Sequence, residues 1–221
     1  MTKRLLIAID GPASSGKGTL ARRLAEHYLL PHLDTGMLYR AVAFSLLERG
    51  DSLDDVAAAT KAAHLLGLEN LPADELRKAP LGEAASVVAV YPEVREALLD
   101  VQRKFARHPH GAVIDGRDIG TVICPDADVK LFVTASAEVR ARRRFEQRRA
   151  NGLDDSYEKV LADIRKRDER DSSRSDAPLK QAEDALLLDT SNLGIDDAFR
   201  AALDMVEAAR GSVKSHPSLK A

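Results

Sequence analysis

A glycine-rich segment near the N-terminus has the residue types that are needed to bind phosphate groups. It runs Gly11-Pro12-Ala13-Ser14-Ser15-Gly16-Lys17 and fits the pattern G-x-x-x-x-G-K. Small residues let backbone N–H groups converge on phosphate oxygens, and the lysine adds a full positive charge. The next position is Gly18, where the pattern has Ser or Thr, and the hydroxyl follows at Thr19. Residues 11–19 therefore predict a phosphate-binding loop in which Thr19 is a candidate magnesium ligand.

The residues that flank this loop predict the strand and the helix that must hold it. Residues 5–9 form a continuous apolar run, typical of a strand buried on both faces of a parallel sheet. Apolar residues then recur with the period of a helix over Lys17 to Tyr28. A strand, a glycine-rich turn and a helix form the opening unit of a P-loop fold.

Four further segments are predicted to add strands to the same sheet. Residues 112–114, 129–133 and 186–188 are apolar runs of the buried-strand type, and a short strand is predicted at 32–34. Strands that alternate with helices predict an α/β fold with a doubly wound parallel sheet of about five strands. Ligands of such sheets bind beyond the carboxyl ends of the strands, so the residues after each strand are candidate site residues.

The chain is predicted to form a single domain over 1–221, in which two mostly helical insertions interrupt a core. The predicted boundaries place the core at 1–35, 109–136 and 181–210, the insertions at 36–108 and 137–180, and a disordered tail at 211–221. The net charge is −2, there is one cysteine, and no apolar run is long enough to span a bilayer. We expect a cytoplasmic monomer that binds neither nucleic acid nor membrane.

Arginine and aspartate residues are concentrated in three further segments. These are residues 34–40 (DTGMLYR), 115–121 (DGRDIGT) and 167–174 (RDERDSSR). The planar guanidinium of arginine matches the oxygens of a phosphate group. Phosphoryl transfer depends on positioning and charge neutralisation more than on covalent chemistry. These segments are therefore candidates for binding a further phosphate group.

Together with the Gly-Lys-Gly-Thr sequence at 16–19, these segments closely resemble the bacterial cytidylate kinases, a branch of the nucleoside monophosphate kinases. The resemblance runs from Leu5 to about Ala198, with the motifs in the same order and spacing. It implies a P-loop NTPase-type fold with a monophosphate-binding lobe (36–108) and a helical lid (137–180). It also implies transfer of the γ-phosphate of ATP to CMP or dCMP, with Mg²⁺, by in-line displacement.

The resemblance also implies roles for single residues. Arg40, Arg117 and Arg174 bind the acceptor phosphate, with Arg167 nearby and Thr35 beside it. Asp118 accepts a hydrogen bond from the cytosine amino group, for which a carboxylate is a suitable partner. The other implied contacts are those of Ser86 and Arg95 with the base and of Asp171 with the sugar hydroxyls. The residues expected to act in the transfer itself are Lys17, Arg117, Arg143, Arg167 and Arg174.

The roles of Asp118 and Ser86 each have a structural alternative. Asp118 could instead be an ion-pair partner of Arg117 or Arg40, and Ser86 could serve helix packing alone.

Asp115, at the end of a strand beside the loop strand, is expected to orient Mg²⁺ through water. Asp10 is expected to be structural, because a phosphate nucleophile is already ionised and needs no base.

Six arginines crowd into the start of the second insertion: Arg140, Arg142, Arg143, Arg144, Arg148 and Arg149. Acidic residues are interleaved with them and stacking aromatics are absent, which argues against a single-stranded nucleic acid site. A lid that closes over ATP explains the cluster better. We expect Arg140, Arg143 and Arg144 to contact ATP and the other three to be solvated.

One departure from the family and two rival interpretations complete the prediction. Better-known bacterial cytidylate kinases carry a β-rich insertion in the lobe, but residues 65–84 have too little β-branched alternation for a small sheet. We therefore expect a trimmed, helical lobe. The first rival is another small P-loop kinase, for UMP, AMP, dTMP or shikimate. The second is a nucleotide- or RNA-binding regulator, which would not need acceptor-phosphate arginines beside a base-reading aspartate.

Overall fold

A five-stranded, all-parallel sheet forms the centre of the computed structural model, which describes residues 4–68, 71–76 and 80–214. The strands are β1 (Leu5–Asp10), β2 (His32–Asp34), β3 (Gly111–Gly116), β4 (Val129–Thr134) and β5 (Leu186–Asp189). Their order across the sheet is β2-β3-β1-β4-β5. The predicted α/β fold with a parallel sheet is confirmed, and each predicted strand is present.

Helices cover both faces of this sheet. They are α1 (Lys17–Tyr28), α2 (Thr35–Arg49), α3 (Val56–His64), α4 (Ala73–Leu76), α5 (Pro80–Val88), α6 (Pro92–Ala106), α7 (Ala137–Ala150), α8 (Tyr157–Ser173) and α9 (Ile195–Lys214). Successive strand side chains point to opposite faces. Ile7 and Ile9 of β1 therefore join a core with α1 and α9, whereas Leu6 and Ala8 join a second core on the other face. Burial on both faces explains the continuous apolar run in β1.

The last strand differs from the prediction that it is fully buried. Leu186 and Leu187 are 38% and 52% exposed, and only Leu188 packs into the core. The reason is its place at the edge of the sheet, where β4 is its only strand neighbour within the described part of the chain. The apolar pattern of β5 identified a strand correctly but could not identify an edge.

The first insertion forms a helical lobe with a core of its own. Apolar side chains of α2, α3, α5 and α6 meet there, among them Leu38, Leu46, Val88 and Leu98. No strand occurs in the lobe at 36–68, 71–76 or 80–108, as expected for a trimmed lobe. The predicted absence of a β-insertion also covers 69–70 and 77–79, which lie outside the described residues.

The second insertion contains α7 and α8, which form the lid. Ser136 and Ser156 cap these helices by accepting hydrogen bonds from the backbone N–H groups of Val139 and Lys159. Ala141 of α7 and Ile164 of α8 pack against Ala13 of the glycine-rich loop, so the lid lies directly on that loop.

The C-terminal helix is longer than the predicted boundary of the tail allows. Helix α9 continues to Lys214, four positions into the segment predicted to be disordered, and residues 215–221 of that segment lie outside the described residues. Among the helices that the structure describes, none combines the length and apolar character needed to cross a bilayer.

Candidate active site

The glycine-rich loop connects β1 to α1 and turns its backbone toward the start of the helix. Gly16 caps α1 with a φ of 92°, a left-handed conformation that favours glycine. Gly11 passes so close to β4 that a Cβ there would lie 2.0 Å from the carbonyl oxygen of Val133. Burial, followed by repulsion from Arg117, lowers the pKa of Lys17 to about 8. The loop therefore presents backbone N–H groups and a partly buried lysine.

Asp10 holds the backbone turn that follows β3, next to the site. Its two carboxylate oxygens accept hydrogen bonds from the backbone N–H groups of Ile119, at 2.8 Å, and Gly120, at 2.7 Å. Burial raises the pKa of Asp10 to about 7 against the opposing effect of these bonds. It joins β1 to the π-helical turn Ile119–Ile123 that follows β3, and these contacts agree with the structural role predicted for it.

A cavity of about 590 Å³ opens between the core, the lobe and the lid. The predicted site residues in its lining are Ala13, Ser14, Gly16, Lys17, Gly18, Thr19, Thr35, Arg40, Ser86, Arg95, Asp115, Arg117, Asp118, Arg144, Arg167, Asp171 and Arg174. The predicted residues outside the lining are Gly11, Pro12, Ser15, Arg140 and Arg143. Residues that lie far apart in the sequence are therefore gathered around one space.

One end of the cavity is strongly cationic. Guanidinium nitrogens of Arg40, Arg144 and Arg167 all lie within 3.8 Å of the position that a Cβ would take on Gly82. Burial, with repulsion from Arg117, lowers the pKa of Arg167 to about 10. The Nε atoms of Arg167 and Arg174 are buried without a hydrogen-bond partner among the described residues. Crowded, partly buried cations, two of which have an unused Nε donor, form a site that an anion would stabilise.

Asp171 is the acidic counterpart within this cluster. Its Oδ2 accepts a hydrogen bond from Arg117 Nε at 2.8 Å and lies 3.8 Å from Arg167 Nε. Burial opposes ionisation of Asp171, but the two arginines outweigh burial and lower its pKa. The carboxylate therefore holds Arg117 in place, in addition to the contact with sugar hydroxyls that the resemblance implies.

The other end of the cavity is built around a buried ion pair. Arg95 of α6 donates through Nη2 to Asp118 and through Nε to Asp176, the latter at 3.1 Å. Asp118 was expected to pair with Arg117 or Arg40 if it were structural, so the partner seen here is a different one. Burial raises the pKa of Asp118, and Arg95 acts in the opposite direction. The pair places a carboxylate and a guanidinium side by side on the cavity wall.

Ser86 completes this end. It is buried on α5 and accepts a hydrogen bond from Arg170 Nη1 of the lid at 2.9 Å. Its hydroxyl therefore has a partner of its own before any ligand is considered.

The residues that could hold magnesium lie where β2, β3 and the loop meet. Asp115 Oδ1 contacts His32 Nε2 at 2.8 Å, and Asp115 Oδ2 lies 3.7 Å from the position of a Cβ on Gly18. The described residues contain no cluster of three or more His, Cys, Asp or Glu side chains that could hold a metal ion. One carboxylate and the hydroxyl of Thr19 fit a cation held mainly by phosphate oxygens and water, as Mg²⁺ often is.

The lid arginines take roles that differ from residue to residue. Arg140 was expected to contact ATP, but its guanidinium binds both oxygens of Asp168, at 2.9 and 2.6 Å, and the carbonyl oxygens of Ala135 and Ala13. It is buried, and these contacts occupy its donors, so the structure makes it a clamp between α7 and α8. The expected contact of Arg140 with ATP is not supported.

Two further lid arginines are held in place, and only part of the cluster is solvated. Arg143 donates to the hydroxyl and the carbonyl of Thr190, at 3.0 and 2.7 Å, beside the backbone of the loop. Arg148 was expected to be solvated but pairs with Asp155 at 2.9 Å and is mostly buried. Arg142 and Arg149 are exposed, as expected.

Several residues of the site were missed in the sequence. His32 and Asp176 gave no signal, because their partners are 83 and 81 positions away. The spacing of Arg170 in the sequence was informative, but no role was predicted for this residue. Positions 167, 170, 171 and 174 share one helical face by their spacing. On this face Arg170 reaches Ser86 and Glu83 of the lobe, although it is not itself part of the cavity lining.

Comparison with known proteins is consistent with this geometry. The family model described as cytidylate kinase matches residues 7–208. A protein named cytidylate kinase from Azorhizobium caulinodans is 62% identical over 207 residues, which cover 94% of this chain and 100% of that protein. Another of the same name, from Xanthobacter autotrophicus, is 64% identical over 206 residues, 93% of this chain and 99% of that protein.

Similarity to solved structures supports the fold. A gluconokinase from Sinorhizobium meliloti superposes with a TM-score of 0.53 at 15% identity, over 97% of this chain and 100% of that one. An uncharacterized protein from Eubacterium ventriosum gives a TM-score of 0.55 at 17% identity, over 93% of this chain and 99% of that one. The extent of the family match and the identity to these relatives, over nearly whole chains, show that this chain belongs to the cytidylate kinase family.

Proposed function

We propose that this protein transfers the γ-phosphate of ATP to CMP or dCMP, producing CDP or dCDP and ADP. The observation that carries the proposal is a cavity that joins the phosphate-binding loop, a cluster of partly buried arginines and the Arg95–Asp118 pair. The loop suits a donor triphosphate, the arginines suit the phosphate of an acceptor, and the pair suits a pyrimidine base.

The arginine cluster holds the acceptor phosphate in line with the donor. Arg40, Arg117, Arg167 and Arg174 surround the dianion, while Lys17 and the loop backbone hold the donor phosphates. The attacking oxygen is already ionised, so catalysis consists of positioning two anions and neutralising the charge between them. Arg143 and Arg144 act on the donor side.

The Arg95–Asp118 pair reads the acceptor base. Asp118 accepts from the exocyclic amino group of cytosine, and Arg95, which can only donate, faces the acceptor atoms of the ring. Uracil has an oxygen in place of that amino group, so its oxygen would repel the carboxylate. CMP is therefore the preferred acceptor, with Asp171 beside the sugar hydroxyls.

Magnesium would supply charge neutralisation for the phosphate groups when it is bound. Thr19 and Asp115 are the residues that would hold it, Asp115 through water. His32 fixes one oxygen of Asp115, which leaves the other directed toward Gly18 and the loop.

The proposal is tested by ADP release with ATP·Mg²⁺ and a panel of acceptors: CMP, dCMP, UMP, AMP, dTMP and shikimate. We expect strong turnover with CMP and dCMP, weak turnover with UMP and none with AMP. Turnover with only one of the other acceptors would contradict the assignment of cytosine as the acceptor base. The absence of ADP release with every acceptor would contradict kinase activity and would make RNA binding the next assay.

A matched pair of variants tests the base-reading role in the same assay. Asp118→Ala removes the carboxylate and leaves Arg95 buried without that partner, so kcat/KM for CMP is expected to fall about 100-fold or more. Asp126→Ala removes an exposed aspartate outside the cavity lining and is expected to leave kcat/KM unchanged. A small loss in Asp118→Ala would contradict base reading by this residue.

A further inference from the structure

Arg170 forms a bridge between the lid and the base end of the cavity. It lies on α8, and its Nη1 donates to the hydroxyl of Ser86 on α5 at 2.9 Å. Its Nη2 donates to Glu83, one turn earlier on α5, at 2.8 Å. Ser86 is fully buried and Arg170 is mostly buried, whereas the carboxylate of Glu83 is half exposed. One guanidinium therefore joins two parts of the molecule that are 84 and 87 positions apart in the chain.

The chemistry of the guanidinium and the hydroxyl decides which of them donates the hydrogen bond. A guanidinium has only donors and keeps its charge, so Ser86 must accept from Arg170. A serine hydroxyl without a fixed partner rotates to suit whatever lies next to it. A hydroxyl held by a charged donor instead has its oxygen fixed and one lone pair occupied. Ser86 can therefore present a defined atom to a ligand only while Arg170 is in place.

We infer that Arg170 is a positioning residue for the acceptor base, which acts by holding the hydroxyl of Ser86 when the lid lies over the lobe. This inference rests on the proposed function, because Arg170 acts on the end of the same cavity that is proposed to bind the base. It makes binding of the base depend on the position of α8. It also separates Arg170 from the phosphate-binding arginines, because both of its side-chain contacts are to α5.

A simple latch between lid and lobe is the competing explanation, and the two contacts of Arg170 separate the alternatives. A latch would depend on the ion pair with Glu83 as much as on the contact with Ser86. That ion pair is half exposed, and exposed pairs contribute little to stability. The contact with Ser86 is buried and charge-assisted, so its loss should have the larger effect.

The experiment measures kcat and KM for CMP at saturating ATP, and the Kd of CMP by calorimetry, in six variants. These are Arg170→Met, Arg170→Lys, Glu83→Gln, Ser86→Ala, the double variant Arg170→Met/Ser86→Ala, and Arg165→Met. Arg165 lies on the same helix, is exposed, and pairs with Glu138 within the lid, so it serves as the matched control.

We expect Arg170→Met to raise KM and Kd for CMP about tenfold with kcat changed less than about threefold, the loss expected for one charge-assisted hydrogen bond. Arg170→Lys, which keeps a donor, should recover part of the loss, and Glu83→Gln should have a smaller effect. The double variant should bind CMP no more weakly than Ser86→Ala alone, because both changes remove the same contact. Arg165→Met should behave as the wild type.

Three results would overturn the inference. They are additive losses in the double variant, a loss in Glu83→Gln as large as that in Arg170→Met, and an unchanged KM for CMP in Arg170→Met. If the wild type does not turn over CMP, both the proposed function and this inference fail. If the wild type is active and Arg170→Met binds CMP normally, only the inference fails.

Discussion

Asp10 shows how burial changes the chemistry of a single side chain beneath the site. Its pKa is raised from 3.8 to about 7, and burial is the main cause. The folded protein therefore binds a proton at Asp10 more tightly than the unfolded chain does. The resulting contribution to stability is fully present below about pH 4 and is lost as the pH rises through about 7.

At the residue scale we therefore predict that Asp10→Asn removes part of the pH dependence of stability. The free energy of unfolding in urea should lose a slope of up to about 1.4 kcal/mol per pH unit between pH 4 and pH 7. The slope is the informative quantity, because asparagine also changes the hydrogen bonds to Ile119 and Gly120. Asp126→Asn, on the surface, should keep the wild-type slope, and an equal slope in both variants would contradict the prediction.

The lid depends on a buried contact between its two helices. Arg140 on α7 binds Asp168 on α8 and also two backbone carbonyl oxygens, one of which, on Ala13, belongs to the phosphate-binding loop. The arginine-rich composition of α7 therefore has at least two origins. Arg140 and Arg148 hold the lid together through aspartates of the lid, and Arg144 and Arg148 line the cavity.

At the element scale we predict that Arg140→Met lowers the free energy of unfolding by about 2 to 3 kcal/mol. Methionine fills much of the space but leaves Asp168 and two carbonyl oxygens without their donor. Arg142→Met, on the exposed face of the same helix, should change stability by less than about 0.5 kcal/mol. Chemical denaturation measures both variants. Equal stability of the two would mean that the Arg140–Asp168 contact contributes nothing.

The whole molecule brings three parts, the core, the lobe and the lid, to one cavity. The core supplies the loop and Asp115, and the lobe supplies Arg40, Ser86 and Arg95. The lid supplies Arg144, Arg167 and Arg174. Like charges of the lobe and lid face each other across this space, which leaves repulsion that an anionic ligand would relieve. The described structure is therefore one in which ligand binding should stabilise the fold as a whole.

At the scale of the molecule we predict that CMP raises the melting temperature far more than cytidine does. A ligand at 100 times its Kd stabilises a protein by about 2.7 kcal/mol. For a chain of this size that corresponds to a shift of roughly 5 to 10 °C. Cytidine lacks the phosphate that the arginines would bind, so its shift at the same concentration should be much smaller. Equal shifts would show that the arginine cluster does not bind the acceptor phosphate.

Features that depend on neighbouring residues could be predicted from the sequence. The glycine-rich loop, the five strands and the helical lobe each follow from a local pattern, because backbone conformation and burial repeat with short periods. The motifs at 34–40, 115–121 and 167–174 supply about a third of the residues that line the cavity, and the glycine-rich loop supplies more. The resemblance that these motifs carry gave the family.

The tertiary structure alone decided which charged groups are partners. Arg95 with Asp118, His32 with Asp115 and Arg170 with Ser86 are pairs separated by 23, 83 and 84 positions. A local pattern records that an arginine is present but not which distant carboxylate or hydroxyl will lie within 3 Å of it. The same limit explains why Arg140 became a clamp and why β5 lies at the edge. Burial and partner choice depend on how the elements pack, and packing is set by contacts between residues that the sequence keeps far apart.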